Sequence, residues 1–444
     1  MKPLAELERQ LKTGEVSSAE LTSTCLDRIL DAKGEGSRTF TMIDPDLSCG
    51  TAHNADTLRK RGDISSPLAG IPVSIKALFD IGGKVTTAGS TVLATAATAR
   101  ADAAAVARLR AAGMVVMGHT NMTEFAYSGL GLNPHYGTPG NPADRSRIPG
   151  GSSSGAAVSV ADGMAAAALG TDTGGSCRIP AAFCGLVGFK PTARRVPLTG
   201  AFPLSQSYDS IGPIARTVDC CARLDAVLAD DPTPEPEMPP LADLRIAVLD
   251  NYVTESMEEP VARAYQTALD VLAKAGAVLT SLRLDGLDDL PALNARGGII
   301  AAEALQVHQE LLKTHGDAYD PRVAVRILKA ESQYAGELED LLAKRTQMIA
   351  VADAATRDFD AVLMPTTPME APRFDALNAD EDLYGSTNLL ALRNPTVANF
   401  LDRCAITLPL PIGSGLPVGL MLMGRTMGDR HLLAIARRVE MSLG

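Results

Sequence analysis

The chain has 444 residues, of which 46% are hydrophobic, and its formal net charge is −11 at pH 7. Such a chain buries an ample core, and no stretch resembles a long flexible linker, so we predict one domain over 1–444. This net negative charge argues against a basic surface of the kind through which proteins bind nucleic acid. It also disfavours docking on an anionic membrane.

The cysteines and the hydrophobic segments indicate the compartment. Seven cysteines without a Cys-x-x-Cys pair predict reduced, mostly buried thiols and no metal or cofactor. Charges within the first ten residues occupy the place where a secretory signal carries its apolar segment. The stretch 156–169 is interrupted by Asp162 and Gly163, which argues against a membrane span. We therefore expect a cytoplasmic protein.

The N-terminal part, 1–60, is predicted to begin with a pair of helices. Apolar residues recur there at roughly helical spacing, and 17–20 reads Ser-Ser-Ala-Glu, a capping signal for the second helix. The apolar stripes favour a homodimer built partly on these helices. The positions that form the stripes are Leu4, Leu7, Leu11, Leu21, Leu26, Ile29 and Leu30.

The next part, 68–218, begins with short apolar runs punctuated by Gly70 and Pro72. This pattern predicts a strand that contains Lys76. Asp102 is predicted to cap an alanine-rich helix over 103–112, and a strand over 114–118 follows.

The remainder alternates between helical and strand patterns. An acidic, proline-rich loop at 230–240 precedes it, and the segment from about 260 to 356 is mostly helical. Helix and strand in alternation predict an α/β fold with a mixed, largely buried sheet that is covered by helices on both faces. The elements expected here are a strand at 244–249, a helix at 260–275, strands at 277–279 and 360–364, helix or loop at 397–410, a strand at 418–423 and a helix at 431–439, the last four within a C-terminal part, 360–444.

Two glycine-rich segments in 68–218 carry the chemistry. Residues 170–180 read GTDTGGSCRIP, where two glycines lead into Ser176 and a prolyl turn follows. Residues 149–155 read PGGSSSG. With Lys76 upstream, these segments offer a nucleophile, a relay hydroxyl and a basic amine.

These motifs resemble the amidase signature family of serine hydrolases. The family core has an apolar strand ending in lysine, then GGSS, then TDTGGS followed by arginine and proline. The resemblance implies a Ser-Ser-Lys triad of Lys76, Ser152 and Ser176, with a cis peptide before Ser152. It is dense over 68–218 and thinner over 360–440.

The family's chemistry assigns a role to each residue. Ser176 is the nucleophile, and Ser152 relays its proton to Lys76, which burial keeps neutral. The backbone N–H groups of Thr173, Gly174, Gly175 and Ser176 are expected to form the oxyanion hole. The expected substrate-binding residues are Met122, Tyr127, Ser128, Gly129, Ser153 and Arg178, although Arg178 also suits a role in holding the loop.

The resemblance implies a serine hydrolase that cleaves the C–N bond of a small carboxamide through an acyl-enzyme on Ser176, releasing ammonia or an amine. One alternative is a glutamine-hydrolysing amidase subunit of a tRNA-dependent amidotransferase, and another is a non-catalytic binding protein on the same fold. Residues 151–155 also match the G-x-S-x-G elbow, with Ser153 as nucleophile, but 145–149 is not the apolar strand that the elbow requires.

Overall fold

The computed structural model describes residues 1–64, 66–410 and 415–444. Residues 411–414, within the predicted C-terminal part, lie outside the described residues. In the described part, eleven strands form one sheet. The strands are β1 (Phe40–Ile43), β2 (Pro72–Lys76), β3 (Val115–Thr120), β4 (Ala167–Thr171), β5 (Val187–Lys190), β6 (Ile211–Ala215), β7 (Arg245–Leu249), β8 (Val278–Leu282), β9 (Ala361–Pro365), β10 (Ala405–Leu410) and β11 (Val418–Met423).

The sheet is mixed, in the order β1-β3-β2-β4-β6-β5-β10-β11-β9-β7-β8. Strand β2 runs parallel to β3 and β4, and β7 runs parallel to β8 and β9, while the other pairs are antiparallel. Strands β2, β4, β5 and β6 are buried at every position, whereas the edge strand β8 is buried at none. The predicted mixed, largely buried sheet is confirmed.

Helices flank the sheet. Three of them pack on β4, β5 and β6, respectively: Ser154–Ala161, Arg178–Phe183 and Val218–Ala229. None of the helices in the described part has the length and apolar character needed to cross a membrane. The α-helices are α1 (Leu4–Thr13), α2 (Ser18–Leu30), α3 (Gly36–Thr39), α4 (Pro45–Arg61), α5 (Ala104–Ala111), α6 (Ser154–Ala161), α7 (Arg178–Phe183), α8 (Val218–Ala229), α9 (Glu259–Lys274), α10 (Leu290–Leu293), α11 (Gly298–His315), α12 (Pro321–Leu328), α13 (Glu337–Ala355), α14 (Phe374–Ala379), α15 (Glu381–Phe400) and α16 (Asp429–Leu443). Short 3₁₀ turns lie at Glu124–Ala126, Leu241–Asp243, Leu287–Asp289, Gly316–Ala318 and Lys329–Ser332.

The two N-terminal helices form as predicted, and Ser17 and Glu20 make a reciprocal capping box at the start of α2. The apolar stripes of these helices are buried within the protein's own core, apart from Leu30, which is 62% exposed. The stripes are therefore not free for a partner copy, and the reasoning that predicted a homodimer from them does not hold.

Two local predictions were wrong. Asp102 does not cap α5, because its carboxylate accepts a hydrogen bond from the N–H of Gly82 at 2.8 Å and pairs with Arg110 at 3.1 Å. The segment 397–410 is the end of α15 followed by the central strand β10. This strand contains Pro409, and proline is rare within central strands. Antiparallel pairing with β5 and β11 nevertheless places the segment in the sheet.

Candidate active site

Lys76 lies at the end of β2 and is fully buried. The neighbouring parallel strand β4 ends at Thr171, so both side chains emerge at the same edge of the sheet. The Nζ of Lys76 donates hydrogen bonds to Ser152 Oγ at 2.7 Å and to Thr171 Oγ1 at 2.8 Å. Burial lowers the pKa of Lys76 to about 8. A substantial neutral fraction therefore exists near physiological pH.

The loop before α6 brings Ser152 to this lysine. The Gly151–Ser152 peptide is cis, as the family resemblance implies. The N–H of Gly151 donates to the carbonyl of Gly129 at 2.8 Å, and the N–H of Ser153 donates to the carbonyl of Ser176 at 3.3 Å. The second contact joins the two glycine-rich loops directly, so the two serines of the predicted triad lie on connected backbone.

A buried carboxylate organises the turn between β4 and α7. Asp172 accepts hydrogen bonds from the N–H groups of Gly175 at 2.8 Å and Cys177 at 3.1 Å. It also accepts from Arg178 Nη2 at 2.8 Å and from Asn399 Nδ2 at 3.0 Å. Burial by itself raises the pKa of Asp172, but the charge of Arg178 and these hydrogen bonds outweigh it and hold the pKa well below its usual range.

This carboxylate changes the set of oxyanion donors expected from the sequence. The N–H of Gly175 is already bonded to Asp172 and is not free for a ligand. The N–H groups of Thr173, Gly174 and Ser176 have no acceptor within the described part of the chain, and all three residues line a cavity. Three donors, rather than four, therefore remain for the proposed oxyanion hole.

A second carboxylate fixes Thr173. Its hydroxyl donates to Asp209 Oδ1 at 2.5 Å, and the N–H groups of Leu204 and Ser205 donate to Asp209 Oδ2 at 2.9 and 3.1 Å. Burial raises the pKa of Asp209 to about 6, against the lowering effect of the hydrogen bonds. Sequence reasoning missed Asp209 and Asn399, because both lie far along the chain from the motifs they support. It also missed Thr171 and Asp172, although these lie within the motif.

The cavity beside Ser176 has a volume of about 580 Å³, a size typical of small-molecule sites. Of the six residues expected to bind substrate, Tyr127 and Ser128 line it. The other four are buried and do not line the cavity. They are Met122, Gly129, Ser153 and Arg178.

The loop that carries Tyr127 and Ser128 is held by α15. The hydroxyl of Ser128 donates to Asn388 Oδ1 at 3.0 Å and accepts from the hydroxyl of Tyr384 at 3.0 Å. The N–H of Gly129 donates to the same Asn388 oxygen at 2.9 Å. The hydroxyl of Ser128 is thus engaged with protein groups on both its donor and its acceptor sides.

Arg178 does not line the cavity, and its guanidinium is bonded within the protein. It is fully buried, and besides Asp172 it bonds to Asn399 Oδ1 at 2.6 Å and to the carbonyl of Pro395 at 2.9 Å. Its donors are therefore used within the protein. The role in holding the loop, which the sequence also allowed, is the one that fits.

We expect Arg178→Met to lower the free energy of unfolding by about 3–5 kcal/mol, because Asp172 would keep a buried charge without a partner. Urea titration followed by circular dichroism measures this. Arg194→Met is the matched control, since Arg194 is 62% exposed in its pair with Asp402 and such pairs are worth about 1 kcal/mol or less. An unchanged stability together with a raised KM would favour the substrate-binding role instead.

Comparison with known proteins agrees with this architecture. The chain is 35% identical over 451 residues to 2-amino-5-chloromuconic acid deaminase of Comamonas testosteroni, covering 99% of this chain and 96% of the relative. It is 35% identical over 468 residues to a glutamyl-tRNA(Gln) amidotransferase subunit of Roseiflexus castenholzii, covering 97% and 94%. A crystal structure of an amidase superimposes with a TM-score of 0.88 at 31% identity and covers 100% of both chains.

A large mixed sheet that sets a buried lysine against two glycine–serine loops is the arrangement expected of the amidase-signature hydrolases. The Amidase family model matches residues 20–433, and the chain belongs to that family. It is an enzyme, a hydrolase that acts on amide C–N bonds.

Proposed function

We propose that the chain hydrolyses a small carboxamide through an acyl-enzyme on Ser176. The observation that carries this proposal is the contact of Lys76 Nζ with Ser152 Oγ at 2.7 Å, made by a buried lysine whose pKa is lowered to about 8. A buried amine of this kind acts as a general base near neutral pH. The carbonyl of Ser176 accepts a hydrogen bond from the N–H of Ser153, the residue that follows the relay serine in the chain. Ser176 also lines the cavity.

In the first step, Ser176 Oγ bonds to the carbonyl carbon of the amide. The proton of Ser176 passes to Ser152 as the proton of Ser152 passes to the neutral Lys76. The carbonyl oxygen becomes an oxyanion, and the free N–H groups of Thr173, Gly174 and Ser176 donate to it. These donors act on charge that is absent from the ground state, so they lower the barrier.

In the second step, the C–N bond breaks. The ammonium of Lys76 returns its proton through Ser152 to the leaving nitrogen, which departs as ammonia or an amine. Water then attacks the acyl group on Ser176, with Lys76 and Ser152 again accepting the proton. The carboxylic acid leaves and the serine is restored.

The test is intact-protein mass spectrometry after treatment with an alkyl fluorophosphonate, followed by peptide mapping. We expect one adduct per chain, located on Ser176, because an activated serine displaces fluoride from phosphorus. An adduct on Ser153 would favour the G-x-S-x-G reading. No adduct on any serine would contradict the proposed nucleophile.

The second candidate is a glutamine-hydrolysing subunit of a tRNA-dependent amidotransferase. The Roseiflexus castenholzii relative, which is named as a subunit of such an enzyme, matches this chain as closely as the deaminase does, at 35% identity. The two candidates differ in whether the chain is active without partner subunits. Steady ammonia release from small amides by the purified chain alone supports the free-standing amidase, whereas release from glutamine only with partner subunits supports the second.

We further propose that the chain works in a reducing compartment, the cytoplasm, on a small molecule. Its seven cysteines are all free, and six of them are buried. Free thiols in this number are usual where disulfides do not persist.

A further inference from the structure

Lys76, the base of the proposed reaction, has only neutral groups beside its nitrogen. Its Nζ donates to the hydroxyls of Ser152 and Thr171, and it forms no ion pair with any residue that the structure describes. Lys76 is also fully buried, so the ammonium that forms when it accepts a proton is a buried charge. A buried charge without a direct partner depends on charges further away.

Asp209 lies at the same edge of the sheet as this lysine. Strand β4 lies between β2 and β6, parallel to the first and antiparallel to the second, so β2 ends where β6 begins. Lys76 is the last residue of β2, and Asp209 lies two residues before β6. Adjacent strands are about 4.8 Å apart, which places β2 and β6 about 10 Å apart. The N–H of Asp172, just beyond β4, donates to the carbonyl of Ser210 at 2.8 Å and holds the segment of Asp209 in this place.

Two buried carboxylates act electrostatically on Lys76, and they differ in how their own charge is balanced. Asp172 pairs with Arg178 at 2.8 Å. Asp209 accepts hydrogen bonds from the hydroxyl of Thr173 and from two backbone N–H groups, which are all neutral. It forms no ion pair within the described part of the chain. Burial raises its pKa to about 6, so Asp209 is still ionised where Lys76 titrates. Asp209 is therefore the carboxylate whose charge remains available to Lys76.

The other titratable groups around this site do not provide a negative charge. Burial raises the pKa of the Cys177 thiol well above its usual range, so the thiol is neutral. Burial lowers the pKa of His119, on the neighbouring strand β3, to about 4, so the imidazole is neutral as well. Lys190, on β5, is a further cation and acts on Asp172. None of the three groups balances an ammonium on Lys76.

We propose that Asp209 is the counter-charge of the Lys76 ammonium and acts on the reaction through Lys76, without touching the substrate. Asp209 does not line the cavity. Lys76 gains a proton when Ser176 attacks the amide and again when water attacks the acyl group, and a fixed negative charge favours both transfers. The proposal rests on the proposed function, since it concerns the base of that reaction.

The test is the pH dependence of Asp209→Asn. Asparagine has the same shape, and its oxygen accepts from the N–H groups of Leu204 and Ser205 while its NH₂ donates to the hydroxyl of Thr173. The change thus removes the charge and keeps the hydrogen bonds. Without the charge the ammonium of Lys76 is less favourable and its pKa falls. At about 10 Å and an effective dielectric constant of about 20, the interaction of two unit charges corresponds to about one pKa unit.

We therefore expect the rise of kcat/KM with pH, at about 8 in the wild type, to move to lower pH by about one unit in Asp209→Asn. The rate of fluorophosphonate adduct formation on Ser176 should show the same displacement without any substrate. A residue that only supported the loop would lower both rates at every pH and leave the rise where it is. Asp209→Ser is the second variant if asparagine prevents folding, because a serine hydroxyl carries no charge and still accepts from a backbone N–H.

Glu303→Gln is the matched control. Glu303, on α11, is half-buried and supports the same loop, since its carboxylate accepts from the hydroxyls of Ser205 and Ser207 and from the N–H of Ser207 at 3.0 Å. Arg345, whose guanidinium carbon lies 4.4 Å from the centre of the Tyr208 ring, is the cation next to this loop and is present in both variants. We expect Glu303→Gln to keep the rise at about pH 8.

The inference is overturned if the rise in a folded Asp209 variant stays at the wild-type pH or moves to higher pH, or if Glu303→Gln displaces it equally. An unchanged thermal midpoint identifies a folded variant. The two proposals fail in different ways. An adduct on Ser176 whose pH dependence is the same in Asp209→Asn rejects only the inference. A displaced profile of ammonia release without any adduct on Ser176 rejects only the nucleophile.

Discussion

Ser176→Ala lowers kcat/KM for amide hydrolysis by about 10⁴-fold or more, because alanine has no hydroxyl with which to form the acyl-enzyme. The methyl group leaves the N–H of residue 176 in place, so the oxyanion donors and substrate binding persist. The loss therefore falls on kcat. Steady-state ammonia release measures it, and an unchanged thermal midpoint shows that the turn between β4 and α7 is intact.

Ser153→Ala is the control for this prediction. Ser153 is fully buried, and its contribution to the loop is the backbone N–H that donates to the carbonyl of Ser176, which alanine keeps. Its hydroxyl makes only a long contact, 3.4 Å, with the carbonyl of Thr171. We expect a loss of less than about tenfold. Loss of activity in Ser153→Ala with activity retained in Ser176→Ala would reverse the two assignments.

Lys76→Met is expected to lower kcat by about 10³-fold, the range that a general acid–base group supplies. Methionine fills the buried volume but neither accepts the proton from Ser152 nor returns it to the leaving nitrogen. The fluorophosphonate adduct on Ser176 should form much more slowly for the same reason. Stopped-assay kinetics and the rate of adduct formation measure the two effects independently.

The pH dependence of kcat/KM reports on the same lysine. Only its neutral form accepts a proton, and burial lowers its pKa to about 8. Activity is therefore low well below pH 8, rises with pH through about 8 and levels above it. Lys76→Met lacks this rise. A wild-type profile that falls with increasing pH between 7 and 9 would contradict a lysine base.

Lys190 offers a matched control for both measurements. It is buried, and burial lowers its pKa to about 8 as well, but its Nζ donates to the carbonyl of Pro191 at 2.8 Å. We expect Lys190→Met to keep the rise through pH 8 and most of kcat. A profile that flattens in Lys190→Met rather than in Lys76→Met would assign the titration to Lys190 instead.

Much of the fold and of the candidate site was predictable because it is local. The spacing of leucines and the Ser17–Glu20 box predicted the first two helices, and apolar runs predicted β2, β7, β9 and β11. The motifs also predicted that Lys76 and Ser152 belong together, and the structure has them 2.7 Å apart. The catalytic roles of these residues stay predictions until the variants are measured.

Other features depended on residues that are distant in sequence. The carboxylate of Asp102 bonds to Gly82 and Arg110 instead of capping α5. Strand β10 was recognisable only from its pairing with β5 and β11. The expected fourth oxyanion donor, Gly175, was lost to Asp172. In each case a tertiary hydrogen bond or a strand pairing outweighed the local signal. Such contacts join residues far apart in the chain, so a pattern read along the sequence does not reveal them.

The sequence by itself determined the family and the α/β class, and it supplied the candidate reacting groups, because catalytic loops need particular residues at short, fixed spacing. Only the tertiary structure decided which donors are free and which charges are paired. The sequence allowed Arg178 either to bind substrate or to hold the loop, and the structure pairs it with Asp172 in the core. Pairing depends on distances between segments far apart in the chain, and folding alone sets those distances.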